Sequence, residues 1–229
     1  MKIFQDLRAT NLHDPRSWDA ALVAAAAAVA AGQVICLPTD TVYGIGADPR
    51  NADAVTALLA AKSRTRAMPP PVLVANAEQA SDLVDPVARR GELAQIAQRL
   101  IEHFWPGALT VIVPASPALG WDLGETNGTV ALRMPDHPLA LELLREVGPL
   151  AVTSANKTGQ APATTIDEAI AQLGDAVSVY LDAGASPVGV PSTIVRLSAE
   201  RPRMADLLRV GAIDPADIER AAQITVSEP

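Results

Sequence analysis

The sequence predicts one α/β or α+β domain built on a mixed sheet. Short apolar, strand-like runs alternate with longer helix-like segments along the whole chain. No repeat and no low-complexity linker interrupts the alternation. The 229 residues are 49% hydrophobic, which is enough for a substantial core, and the net charge of -8 sits within the folded rather than the disordered class.

The first helix is expected over Ser17–Ala31, because alanine is the strongest helix former and Gly32 stands where a C-cap belongs. Its alanine-rich run lacks the basic-then-apolar order of a secretory signal, and no stretch is long and apolar enough to span a bilayer. Val34–Leu37 reads as a buried strand. Its Cys36 is the single cysteine and is expected to pack rather than react; without a second cysteine no intrachain disulfide can form, which suits a reducing cytoplasm. Asn51 caps a helix from Ala52 to about Lys62. A basic loop, Lys62–Pro71, leads to a strand at Val72–Ala75. Asp85-Pro86 starts a helix that runs to about Phe104, where Trp105-Pro106-Gly107 breaks it. Leu109–Val113 is a strand, Ser116–Gly128 a long loop and Thr129–Arg133 a strand. His137-Pro138 opens a helix that ends before Gly148. A strand at Leu150–Thr153, a helix at Ile166–Leu173 and a strand at Val177–Leu181 follow. Ala183–Pro191 is a Gly/Pro-rich loop. Thr193–Leu197 and Met204–Val210 are late strands, Asp214-Pro215 starts the last helix, and the tail after about Thr225 is expected to fray.

Several chemistries lack their residues. There is no phosphate-binding G-x-x-x-x-G-K-[ST] loop, and Gly44-x-Gly46 lacks the third glycine of a dinucleotide fingerprint. His13, His103 and His137 are far apart and none is near Cys36, so no zinc site is expected. No G-x-S-x-G elbow marks a serine nucleophile. Net negative charge argues against a broad nucleic-acid or anionic-membrane footprint, while leaving room for a local basic pocket.

Polar segments stand at the ends of the expected elements: Pro38–Tyr43, Lys62–Arg66, Thr129–Pro135, Thr153–Asn156 and Ser192-Thr193. Each has two readings. Thr39, Asp40 and Thr41 form either a polar turn or the floor of a site. Lys62, Arg64 and Arg66 are either a solvated loop or an anion grip. Ser154 and Asn156 either cap a turn or meet a ligand. Together these guanidinium, ammonium, hydroxyl and amide groups suit an anionic nucleotide with a small polar partner, with catalysis by positioning and charge.

The segments "LPTDTVYGIGAD", "KSR", "WPGALTVIV", "TVALRMPDHPLA", "AVTSANKTGQAPATT", "PSTIV" and "LLRVGAI" occur in that order. The set closely resembles the threonylcarbamoyl-AMP synthase family, the YrdC-like proteins, from about Asp19 to Ile213. The resemblance implies a single YrdC-like domain over 1–229, with an N-terminal helix and a C-terminal helix and tail flanking the core, as in the short form of the family. Its fold would be an open, twisted α/β mixed sheet flanked by helices around a deep basic cavity. The implied reaction joins L-threonine, bicarbonate or CO2, and ATP into L-threonylcarbamoyl-AMP and pyrophosphate. This is the first step of threonylcarbamoyladenosine formation at position 37 of tRNA.

By the same resemblance Thr41, Arg133 and Ser192 bind threonine, and Lys62, Arg64, Thr129, Ser154, Asn156 and Arg209 bind ATP. No dedicated metal site is implied; Mg2+ would arrive with ATP. A downstream threonylcarbamoyl-transfer complex would take the product, tRNA would be met at most indirectly, no membrane is implied, and the location would be cytoplasmic. The alternative reading is a YrdC-like paralogue acting as an RNA-binding module or another carbamoyl-adenylate enzyme. Three departures stand out: six residues, Thr65–Pro70, where the family usually has four; Pro162 where serine is common; and Arg196 where aspartate is common.

Overall fold

The structure is a computed structural model describing residues 5–6 and 18–227. His13, the expected helix start at Ser17 and residues 228–229 of the tail lie outside the described residues. In chain order the strands are β1 Gln5–Asp6, β2 Ile35–Leu37, β3 Gly44–Ala47, β4 Val72–Leu73, β5 Leu109–Pro114, β6 Thr129–Arg133, β7 Leu150–Ser154, β8 Val179–Tyr180, β9 Thr193–Leu197, β10 Met204–Arg209 and β11 Thr225–Ser227. The helices are α1 Asp19–Ala30, α2 Ala52–Ala61, α3 Ala77–Leu83, α4 Gly91–Phe104, α5 Pro138–Val147, α6 Ile166–Leu173 and α7 Pro215–Ala222. One mixed sheet holds these strands in the order β1-β8-β2-β3-β7-β4-β6-β5-β9-β10-β11.

Local chemistry explains most of the boundaries. The Asn51 side chain accepts from the amides of Asp53 and Ala54 and starts α2. Thr165 and Glu168 form a reciprocal capping box on α6. Pro138 sits in the first turn of α5 and Pro215 in that of α7, where a missing N–H costs nothing.

Four expectations change. Strand β3 was not anticipated, because Gly-Ile-Gly-Ala has little strand propensity; yet it pairs antiparallel with both β2 and β7. Its glycines admit a neighbour: a Cβ on Gly44 would lie 2.7 Å from Val152 Cγ1. Helix α3 was also missed, although Asn76 caps it through Gln79 N. The helix expected from Asp85-Pro86 begins at Gly91; Asp85 Oδ1 instead accepts from Val87 N at 2.6 Å and closes a turn. The tail does not fray at Thr225, because Thr225–Ser227 pairs parallel with Met204–Asp206.

The two sheet faces are covered unequally, and this positions the site. Ile35 and Leu37 of β2 face the cluster containing α1 and α5, whereas Cys36 between them faces the cluster containing α2, α3, α4, α6 and α7. The buried apolar residues of β5, β6, β9 and β10, such as Val111, Leu132, Val195 and Leu207, all belong to the second cluster. Helices α1 and α5 pack on β2, β4, β7 and β8, so over β6-β5-β9-β10 the first face carries no helix. Thr110, Ile112, Thr129, Ala131, Arg133, Ser192 and Ile194 point out of that bare face into a cavity of about 470 Å³.

Candidate functional site

Loops from the covered half of the sheet wall the cavity. Pro38–Val42 follows β2, Ser154 ends β7, and 64–71 follows α2. Strand alternation alone puts Arg133, the last residue of β6, on the open face, where it is only 6% exposed. Its Nη2 donates to Asp40 Oδ1 at 2.6 Å, Nη1 to Thr41 Oγ1 at 2.9 Å and Nε to Gly107 O at 2.8 Å. Burial pushes its pKa down and Asp40 opposes the shift. A guanidinium has five N–H donors, so two remain for a ligand.

The opening turn is ordered by its hydroxyls. Thr39 Oγ1 donates to Val42 O at 2.6 Å, so its 3.0 Å contact with Thr41 Oγ1 is accepted from Thr41. Thr41 Oγ1 therefore donates to Thr39, accepts from Arg133 and has one lone pair left. On the facing strands Ser192 Oγ lies 2.8 Å from Thr110 Oγ1 and accepts from Arg209 Nη2 at 2.9 Å, while Arg209 Nε donates to Ser192 O. Arg64 Nη1 donates to Thr153 Oγ1 at 2.9 Å, and its buried Nε has no hydrogen-bond partner among the described residues. The Arg209 pKa falls to about 10, through burial first and then the nearby charges of Arg133 and Arg64. Burial likewise lowers that of Arg64.

Seven of the nine residues expected in a site line this one cavity: Thr41, Arg64, Thr129, Arg133, Ser154, Ser192 and Arg209. Lys62 and Asn156 stand behind the wall. The Lys62 ammonium donates to Ser154 O at 2.5 Å, Asn156 O at 2.7 Å and Asn156 Oδ1 at 3.0 Å, which satisfies its three N–H groups. Its pKa falls to about 8, through burial first and then Arg64; three acceptor oxygens favour the charged form and oppose that fall. Asn156 Nδ2 closes the same turn on Lys157 O and Gln160 O.

Thr153, inside the polar segment Thr153–Asn156, also lines the cavity, as does Thr110, which the sequence reading did not single out. The signal for Thr110 was a lone hydroxyl inside an apolar strand, where a buried polar group needs a partner. Asp40, ambiguous in sequence, is the counter-ion of Arg133. The long Thr65–Pro70 loop forms part of the mouth: Met68, Pro69 and Pro70 line it, an Arg66–Asp122 ion pair ties it down, and Glu125 N donates to Arg66 O. Arg196 also lines the mouth, held by Asp206 Oδ2 at 2.8 Å. Pro162 is not among the lining residues. Among the described residues no group of three or more His, Cys, Asp or Glu could hold a metal ion, and no helix is long and apolar enough to cross a membrane.

Residues 27–211 match the family model Sua5_yciO_yrdC, described as "Telomere recombination". A Mycobacterium tuberculosis protein provisionally named threonylcarbamoyl-AMP synthase is 49% identical over 211 residues, covering 92% of each chain. The threonylcarbamoyl-AMP synthase of Vibrio campbellii is 36% identical over 169 residues, 73% of this chain and 89% of that one. Among solved structures, Pyrococcus abyssi Sua5 complexed with L-threonine superposes with a TM-score of 0.81 at 30% identity. The match covers 90% of this chain and 58% of that one, so the chain spans somewhat over half of the archaeal protein.

Proposed function

The chain belongs to the Sua5/YciO/YrdC family, and from that premise we propose that it is an L-threonylcarbamoyladenylate synthase, acting as a single YrdC-like unit. It makes L-threonylcarbamoyl-AMP and pyrophosphate from L-threonine, bicarbonate or CO2, and ATP. One observation carries the reading. Three guanidinium groups, the buried Arg133, the half-buried Arg64 and the more exposed Arg209, converge on one cavity, and among the described residues only Arg133 of the three has a carboxylate partner there. The charges of Arg133 and Arg64 add to the lowering of the Arg209 pKa, and cations crowded in this way are relieved by a multiply charged anion, which a triphosphate supplies.

The chemistry needs no protein nucleophile. The threonine amine takes up CO2 as a carbamate and releases a proton to solvent. A carbamate oxygen attacks the α-phosphorus, the bond from that phosphorus to the bridging oxygen breaks, and pyrophosphate leaves with the electron pair. The protein supplies position and charge. The two spare N–H groups of Arg133 take the threonine carboxylate as a fork, and Thr41 and Ser192 take its other polar groups. Arg64, Arg209 and Ser154 take phosphates, and Thr129 faces the nucleotide. Lys62 and Asn156 act one layer back by fixing the turn that presents Ser154. Magnesium enters on the ATP phosphates and adds charge neutralisation there. The product passes in the cytoplasm to a transfer complex acting on position 37 of tRNA.

Incubation with labelled threonine, bicarbonate and ATP is expected to yield the labelled adenylate and pyrophosphate in equal amounts. Pyrophosphate release that threonine does not stimulate would overturn the reading.

A further inference from the structure

Tyr43 stands immediately before β3 and is fully buried. Its backbone ties two segments together: Tyr43 N donates to Ala163 O at 2.9 Å, and Tyr43 O accepts from Ala155 N at 2.8 Å, next to Ser154. Its side chain reaches a third. The hydroxyl donates to Gly184 O at 2.6 Å and accepts from Ala183 N at 3.0 Å, so both hydrogen-bonding roles are filled by the start of one loop. Burial pushes the phenol pKa up, with the Ala183 N–H opposing, so the donor persists across the working range.

That loop, 183–191, then lies along the turn carrying Thr41. Val188 N donates to Asp40 O at 3.0 Å and Gly189 N to Thr41 O at 2.8 Å. Two further backbone bonds hold the loop, Ser186 N to Thr164 O at 2.8 Å and Ala212 N to Pro191 O at 2.9 Å, while Val188 and Val190 are 46% and 45% exposed. It ends at Pro191-Ser192, so one end abuts the tyrosine and the other places Ser192 Oγ against Thr110 and Arg209. We propose that the Tyr43 hydroxyl is a positioning group for threonine: it latches loop 183–191 onto the Pro38–Val42 turn and so holds Thr41 and Ser192 at the separation that the amino acid bridges. This rests on the threonine site proposed above. Tyr43 acts through the loop, so its loss falls on threonine more than on the nucleotide: of the phosphate contacts only Arg209 touches the loop end, through Ser192, while Arg64 and Ser154 lie on other walls.

The test is Tyr43→Phe, which keeps the ring and removes both bonds. KM for threonine is expected to rise about tenfold, as for loss of a buried hydrogen-bonded pair, with KM for ATP moving far less and kcat falling by less than the threonine KM rises. Without ligands, amide exchange over 183–189 is expected to quicken relative to wild type. A uniform loss of active enzyme, equal effects on both substrates or unchanged exchange would overturn the proposal. Should the variant fail to fold, wild type decides: saturating threonine is expected to slow exchange over 183–189 more than ATP does, and no such slowing also overturns it. Wild type lacking threonine-dependent pyrophosphate release would sink the synthase reading alone, because the ligand-free exchange comparison still judges the latch.

Discussion

A single ion pair shows how far residue-level reasoning reaches. Arg133 was legible as a strand-end charge, and resemblance made it a threonine contact; what the sequence left open was its partner. Asp40 and Arg133 are separated by 93 residues, and nothing in the local pattern joins them. The pair is nearly dry, with both side chains 8% exposed. Removing one member of such a pair strands the other charge, at a cost of about 3–5 kcal/mol. Arg133→Ala is therefore expected to lower stability and to weaken threonine binding far more than ATP binding. The two effects separate in a double variant. Arg133→Ala with Asp40→Asn removes the stranded charge and is expected to recover most of the stability while threonine binding stays lost. Calorimetry showing equal losses for both ligands, or recovery of threonine affinity in the double variant, would contradict the role given to the fork. Thr110 marks the other limit: its meaning depends on Ser192, 82 residues away and immediately before the strand that pairs with β5.

Among elements, those with a strong local signal were readable and those set by packing were not. Thr129–Arg133 and Ile166–Leu173 fall where alternation and capping put them. Strand β3 exists because β2 and β7 need a thin strand between them, a fact no propensity carries. The same logic of close approach governs the connection from β10 to α7. Ala212 N donates to Pro191 O, and Gly211 N and Ile213 N both donate to Thr193 Oγ1, so this segment crosses directly over the Ser192 backbone. A Cβ on Gly211 would overlap Pro191 O, Ser192 C and Thr193 N, all backbone atoms that cannot rotate away. Gly211→Ala is therefore expected to destabilise by about 1–3 kcal/mol, the usual range for forced overpacking. It should also weaken threonine binding, because the displaced segment carries Ser192. Urea unfolding checks the first effect and titration with threonine the second; a variant of unchanged midpoint would show that the crossing has slack.

At the scale of the whole molecule the site is a consequence of unequal cover. Among the described residues helices cover one face of the sheet from β8 to β11, but α1 and α5 cover only half of the other, and the bare half becomes the cavity floor. Bulk charge conceals this place: the chain carries -8 overall, while the cavity gathers Arg64, Arg133 and Arg209 around a single buried acid. The net charge argues against a broad polyanion footprint, yet it cannot register a local concentration that only folding assembles. Such a site predicts how stability responds to small anions. Pyrophosphate carries the charge of the phosphate end without base or amino acid, and a ligand that binds only the folded state stabilises it by mass action, about 2.7 kcal/mol at one hundred times its Kd. For a chain of this size that corresponds to a rise in Tm of roughly 5–10 °C. Adenosine, with a base but no phosphate, is expected to give a much smaller rise. Arg64→Ala combined with Arg209→Ala should abolish the pyrophosphate effect while leaving any adenosine effect in place. Raising salt should weaken it only partly, since buried charges are screened less than exposed ones. A larger shift with adenosine than with pyrophosphate would mean that the cavity selects its ligand by the apolar floor of Ile112, Ala131 and Ile194 rather than by the arginines above it.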